Sequence, residues 1–406
     1  MRKGSFVISG ILLAILALAL SATAATVSTP RNTSKNKNVT ESSKTQKRMS
    51  RLRRSRRVRV RASKYVWVNG HRLKRNRYSE RFTASSFTDS DLTASDVTAG
   101  EDPVVRAAAI DALGNMNGTV VAIDPNSGRI LAMVNQKLAL AEGAEPCSTI
   151  KISVALAALS ENVITRDTRV PLGRRFSLDL TQALAHSNNA YFEALGRKMG
   201  FEKVSYYAHQ FGLGELAGYN IEGEHLGVYP SEELDAKLGG VGKMCSFGES
   251  ISMTPLQLGA LVSAIANGGT LYYLQHPETT EQAANFQPII KRYLDIGPLI
   301  PEVAPGMAAA VNYGTAQSVR WNFSQEQVLG KTGTCSNNGT RFGWFASYAN
   351  TAAGKIAVVV FLEGGRPTFG PKAAEIAGRM YRNLYDHSYF AGGTAVQERT
   401  LNGVSQ

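Results

Sequence analysis

The sequence predicts an α+β fold: a mainly antiparallel central sheet flanked by helices, with an all-helical region inserted into it. Three observations carry this expectation. Two apolar runs surround an Asp-Pro-Asn-Ser-Gly turn at residues 118–134. Residues 160–275 then read mainly as helices and loops. After Gly330 the pattern returns to strands, and an amphipathic helix closes the chain. Strands at both ends with helices between them are most simply satisfied by one sheet made from distant segments.

The elements follow in order. Arg2 and Lys3, an apolar run over 6–20 and Ala22-Thr23-Ala24 make a secretory-signal pattern. The apolar run is also nearly long enough to serve as an uncleaved anchor. Residues 1–25 are therefore a signal peptide or membrane anchor, and either one places the rest of the chain outside the cytoplasm. Residues 26–100 are expected to be a basic, largely disordered tail and linker. Within them, alternation around Asn69-Gly70 allows a small hairpin over 58–78.

The ordered domain is expected over 101–390, with a disordered C-terminus at 391–406. Asp102 as N-cap and Pro103 start a helix that runs to Leu113. "GTVVAIDPNSGRILAMV" reads as a buried hairpin. "STIKISVALAALS" reads as a helix whose apolar face is Ile152, Ala155, Leu156 and Leu159. A clear helix starts at Ser252 or Thr254 with Pro255 and ends at Asn267-Gly268-Gly269. "GKTGTCS", "RFGWFASYA" and "KIAVVVFLEG" read as three short strands, with Asn338-Gly339 as a turn.

The net charge of +13 belongs to the tail. Residues 31–81 carry nineteen Lys/Arg against Glu41 and Glu80, while the body from residue 82 is mildly acidic. A nucleic-acid partner is excluded on that ground. The tail is a solvated linker, or it meets an anionic wall polymer or membrane surface. Cys147, Cys245 and Cys335 are too few for a disulfide scaffold and too scattered for zinc. No metal or cofactor is expected.

Three short motifs carry chemistry together. Ser148 stands three residues before Lys151 at the start of a helix, so hydroxyl and amine share a face. A serine nucleophile needs a base, and a buried lysine can be one. Ser187 and Asn189 add a second hydroxyl and an amide within the helical region. Lys331, Thr332 and Gly333, followed by Thr334, open a strand that a carboxylate-bearing substrate can approach closely. Each motif alone is weak; Ser160-Glu161-Asn162 and Ser336-Asn337-Asn338 are decoys of the Ser-x-Asn form.

In this order and context the chain resembles the transpeptidase domain of penicillin-binding proteins and serine β-lactamases over roughly residues 103–386. "GESISMTPLQLGALVSAIANGG", "GTAQSV" and "GKTGT" before "GWFASYA" extend the likeness. The resemblance implies that Ser148 is acylated by D-Ala-D-Ala stem peptides of peptidoglycan, or by β-lactams as inhibitors. It implies that Lys151 takes the serine proton and that Ser187 relays a proton to the leaving amine, with Lys331 holding that network. Asn189 would bond the substrate amide. Thr332 and Thr334 would meet the terminal carboxylate, and the N–H groups of Ser148 and Thr334 would form the oxyanion hole.

The expected reaction is D,D-transpeptidation. D,D-carboxypeptidase or serine β-lactamase action, and a non-turnover β-lactam sensor or wall-binding protein, are the alternatives. Glu161 and Glu193 are the carboxylates considered for a deacylating role, and His186 is read as structural. Residues 1–100 are expected to be too short for a glycosyltransferase domain, so the chain reads as monofunctional. Family members commonly carry glycine where this chain has Cys147. Two readings of the cysteines stand. Two small buried thiols is the default. The other is a redox-coupled Cys147–Cys335 pair, which requires Cα atoms within about 7 Å.

Overall fold

The computed structural model describes residues 65–68, 71–74, 84–88 and 91–391. The expected signal or anchor at 1–25, most of the tail, and the C-terminus beyond Ala391 lie outside the described residues. The chain divides into two units, Met1–Tyr78 and Ser79–Gln406. In the first, β1 (Tyr65–Val68) pairs antiparallel with β2 (His71–Lys74), Val68 opposite His71. That ribbon falls inside the 58–78 hairpin expected from Asn69-Gly70.

The second unit takes in residues 91–100, which the sequence reading assigns to the linker. Asp96 accepts hydrogen bonds from the backbone N–H groups of Asn135 and Gln136 and pairs with Arg106 at 2.8 Å. Arg106 also pairs with Glu101 at 2.7 Å. A polar stretch is therefore ordered by buried charge, together with Phe87 and Leu92 packed on the core, which composition does not reveal.

Helix α1 spans Pro103–Leu113, with the Asp102 side chain accepting from Val104 and Val105 N–H as its cap. Strands β3 (Gly118–Ile123) and β4 (Ile130–Val134) form the expected hairpin. The helical region follows: α2 (Lys151–Ser160), α3 (Leu180–Ala185), α4 (Asn189–Met199), α5 (Phe201–Gln210), α6 (Gly240–Phe247), α7 (Pro255–Asn267) and α8 (Ile300–Asn312). Two small ribbons lie within it, β5 (Val170–Gly173) with β6 (Phe176–Leu178) and β7 (Thr270–Tyr272) with β8 (Ile290–Tyr293). Then come β9 (Gln327–Asn337), β10 (Thr340–Thr351), β11 (Gly354–Gly364) and α9 (Gly370–Asp386).

One antiparallel sheet of order β4-β3-β11-β10-β9 unites the two ends of the chain. Its residues alternate between two cores, as the strand period of two requires. Val120, Ala122, Val358 and Val360 pack with α1 and α9 on one face. Val121, Ile123, Val359 and Phe361 pack with α2 and α7 on the other. Burial on both faces is why β3 and β11 read as continuous apolar runs. The three C-terminal strands are longer than expected, at 11, 12 and 11 residues. Backbone pairing carries them through Ser336, Asn337, Asn350 and Thr351, where the side chains give no strand signal. Asn338 and Gly339 both have positive φ, at 49° and 84°, as a two-residue hairpin turn with matching twist demands.

Candidate active site

Ser148 does not lie in the α-helix itself. It sits on a 3-10 turn, Cys147–Ile150, that runs into α2. In that tighter turn residues i and i+3 eclipse. Lys151 therefore stands directly under Ser148, its Nζ 2.6 Å from the serine Oγ. Lys151 is fully buried, and its other close partners are Asn189 Oδ1 and the Ser246 carbonyl, both at 2.7 Å. Ser187 Oγ lies at 3.4 Å.

Ser187 joins α3 to α4 with φ 54°. It is not the helix cap: Asn188 is, accepting from Tyr191 N–H at 2.9 Å. Asn189 is the first residue of α4, and its Oδ1 accepts from Lys151 Nζ. From the sheet, fully buried Lys331 donates to Ser187 Oγ and to the Thr332 carbonyl, both at 2.8 Å. Ser148, Lys151, Ser187, Asn189 and Lys331, drawn from three separate segments, thus form one bonded cluster.

The close partners of Lys151 are a hydroxyl, an amide and a carbonyl, all neutral. Burial pushes its pKa down to about 6; the Lys331 charge adds to this and Glu193 opposes it. Burial pushes Lys331 down to about 7. A deprotonated Lys151 has a lone pair, so the 2.6 Å contact can run with the serine hydroxyl as donor. That is the geometry for removing the Ser148 proton.

Strand β9 is the sheet edge beside the Ser148 turn. Alternation turns Lys331 and Gly333 toward that turn, and Thr332 and Thr334 to the other side. A Cβ on Gly333 would lie 2.8 Å from the Pro146 carbonyl oxygen, so glycine permits the approach. Thr332 is buried, its hydroxyl 2.6 Å from that of Thr315. Thr334 is exposed, and its Oγ1 accepts from Gly370 N–H at 2.8 Å. Trp344 Nε1–H reaches across to the Glu145 carbonyl at 2.9 Å.

The reading of two free thiols is corrected: Cys147 and Cys335 form a disulfide with Cα atoms 5.5 Å apart. The register of β9 against the Ser148 turn brings them together, which separation in the sequence hides. His186 stays outside the cluster, exposed against the Tyr313 ring at 5.8 Å. Sequence reasoning did not find the Ser246 carbonyl, Thr315 or Gly370 N–H. Backbone groups have no residue signature, and the short "GTAQSV" segment marked Thr315 without giving it a partner. Among the described residues, no group of three or more His, Cys, Asp or Glu could hold a metal. Nor is any described helix long and apolar enough to cross a membrane.

The sequence and the fold have counterparts. Stage V sporulation protein D of Bacillus subtilis is 27% identical over 316 residues, covering 65% of this chain and 48% of that protein. Peptidoglycan D,D-transpeptidase MrdA of Acinetobacter baumannii is 23% identical over 355 residues, covering 68% of this chain and 52% of that protein. The chain spans about half the length of these curated relatives. The D,D-transpeptidase domain of a peptidoglycan glycosyltransferase from Eggerthella lenta superposes with TM-score 0.60 at 20% identity, covering 71% of this chain and 82% of that one. Pseudomonas aeruginosa PBP2 superposes at 0.59 and 24%, covering 71% and 77%. These likenesses show the fold. The sequence profile of the penicillin binding protein transpeptidase domain matches residues 118–385, and the chain belongs to that family.

Proposed function

We propose that this protein is a serine D,D-transpeptidase that cross-links peptidoglycan through an acyl-enzyme on Ser148. The observation that carries it is the buried, neutral-partnered Lys151 in contact with Ser148 Oγ. Lys151 takes the Ser148 proton, and Oγ attacks the carbonyl carbon of the penultimate D-Ala. The oxyanion accepts from the N–H groups of Ser148 and Thr334, each such donor being worth about 3–4 kcal/mol of barrier. The C–N bond breaks, a proton passes through Ser187 to the departing amine, and terminal D-Ala leaves. Asn189, whose oxygen holds Lys151, presents its N–H donors to the substrate amide. Thr334 and the Thr332–Thr315 pair face the terminal carboxylate.

An acceptor amine then takes the acyl group. The two carboxylates considered for activating water instead, Glu161 and Glu193, are engaged in other pairs. Glu161 follows the C-terminal end of α2, roughly 15–20 Å along the helix from Ser148, and is held by Lys203 and Tyr207. Glu193 pairs with Arg197 at 3.3 Å. The family's D-Ala-D-Ala chemistry places the site outside the cytoplasm, with β-lactams as inhibitors. The basic tail is proposed to meet an anionic wall polymer or membrane surface.

Fluorescent penicillin tests this reading. The protein should label stoichiometrically, Ser148→Ala should not, and the label should persist for many minutes. With a D-Ala-D-Ala peptide and a D-amino-acid acceptor, exchange product should exceed hydrolysis product. Labelling of Ser148→Ala would remove the nucleophile, and rapid label loss would favour a β-lactamase.

A further inference from the structure

The disulfide flanks the bonded cluster on both sides without belonging to it. Cys147 immediately precedes Ser148, and Cys335 immediately follows Thr334. Cys147 has φ 52°, in the left-handed region that disfavours any residue with a Cβ. Glycine adopts that conformation freely. The other ties nearby do not join the immediate neighbours of both donors. The Trp344 bond to the Glu145 carbonyl holds the Ser148 turn against the sheet, and Gly370 N–H holds the Thr334 side chain. The Cys147–Cys335 bond spans the gap between the two backbone N–H groups themselves.

We propose that the Cys147–Cys335 disulfide is a positioning device. It holds the residue before the nucleophile in a left-handed conformation, and so keeps the Ser148 and Thr334 N–H groups aimed at one point. The proposal rests on the reading of Ser148 as nucleophile and of those two N–H groups as the oxyanion hole. Such donors act only within 2.7–3.1 Å of the developing charge, about the span of an ordinary hydrogen bond. A cross-link between the chain neighbours of both donors limits how far they can drift. Cys147 and Cys335 are therefore positioning residues.

Reduction of the native protein with dithiothreitol is the test. Cys335 is half-buried and Cys147 fully buried, so the reagent thiolate attacks Cys335 Sγ. Two electrons and two protons pass from the reagent to the pair. Two thiols remain, and the reagent leaves as its cyclic disulfide. Penicillin acylation is then resolved into Kd and the acylation constant k2 for the oxidised enzyme, the reduced enzyme, Cys147→Ser/Cys335→Ser and Cys147→Gly/Cys335→Ser.

Reduction and the double serine variant should lower k2 about tenfold or more, with Kd within about twofold and an unchanged circular dichroism spectrum. The glycine variant should recover most of k2, because glycine needs no cross-link to hold the turn. Unchanged k2 after reduction verified by mass overturns the proposal. So does a glycine variant no faster than the serine one. If the reduced enzyme and both variants lose their fold, or if unreduced peptide mapping finds no 147–335 link, the proposal is likewise overturned. Labelling that survives Ser148→Ala strikes the nucleophile reading instead, and is distinct from all of these.

Discussion

At the scale of single residues, the chemistry depends on two lysine side chains that the fold keeps from water. Lys151 is an amine base only when unprotonated, and burial, with the Lys331 charge in support, brings its pKa to about 6. The acylation rate should therefore rise with pH through about 6 and level off above it. Lys331→Met removes the second cause and leaves the first. Its acid limb should move to higher pH, whatever the absolute rate. A limb that stays near 6 in the variant would show that the two lysines do not couple. The Ser148, Lys151, Ser187, Asn189 and Lys331 set was legible because each residue belongs to a short motif with its own spacing. The positive φ of Ser187 and Cys147 was not legible. A left-handed turn at a non-glycine residue is imposed by its surroundings, and the local residue types do not announce it.

At the scale of elements, the site is an approach of two backbones: the Ser148 turn and the edge strand β9. Helix propensity over "STIKISVALAALS" located α2 but not its 3-10 entry, and it is the entry that eclipses Ser148 and Lys151. Gly333 fixes how close β9 comes. An alanine Cβ there would meet the Pro146 carbonyl at 2.8 Å, Thr149 Cγ2 at 3.1 Å and Trp344 Cβ at 3.2 Å. The first contact is backbone and cannot swing aside. Gly333→Ala should part strand and turn by a few tenths of an ångström, at a cost of about 1–3 kcal/mol in stability. The displaced oxyanion donors should slow penicillin acylation about tenfold or more. Thermal melting and the acylation constant measure the two effects separately. An alanine variant that acylates at the parent rate would mean that the turn and β9 are not in contact during the reaction.

At the scale of the whole molecule, the sheet order was half written in the sequence. Continuous apolar runs in β3 and β11 demand burial on both faces, and these strands are neighbours within the sheet. The glycine- and hydroxyl-rich β9 can only be an edge. The strapping of Asp96 and Glu101 onto Arg106 was not written there, because a buried ion network looks like a polar linker until the fold brings its members together. The same burial of charge sets how stability varies with pH. Lys151 and Lys331 have an ordinary pKa of 10.5 but titrate near 6 and 7 in the folded protein. From about pH 7 to 10 the unfolded chain binds protons that the folded protein does not, so stability rises with pH across that window. Below about 6 both states hold these protons and the full penalty of burying charge is felt. Above about 9 the buried Cys245 thiol, pushed up to about 12, works in the opposite direction. The buried Tyr381 and Tyr191 hydroxyls, also raised by burial, join it near pH 10. Guanidinium unfolding at pH 7.0, 7.5, 8.0 and 8.5 should show stability climbing by about 2–2.5 kcal/mol per pH unit. The climb should be much flatter in Lys151→Met/Lys331→Met, which keeps the thiol and the tyrosines. Parallel profiles for the two proteins would mean that the lysines are charged in the folded state, and would remove Lys151 as the base.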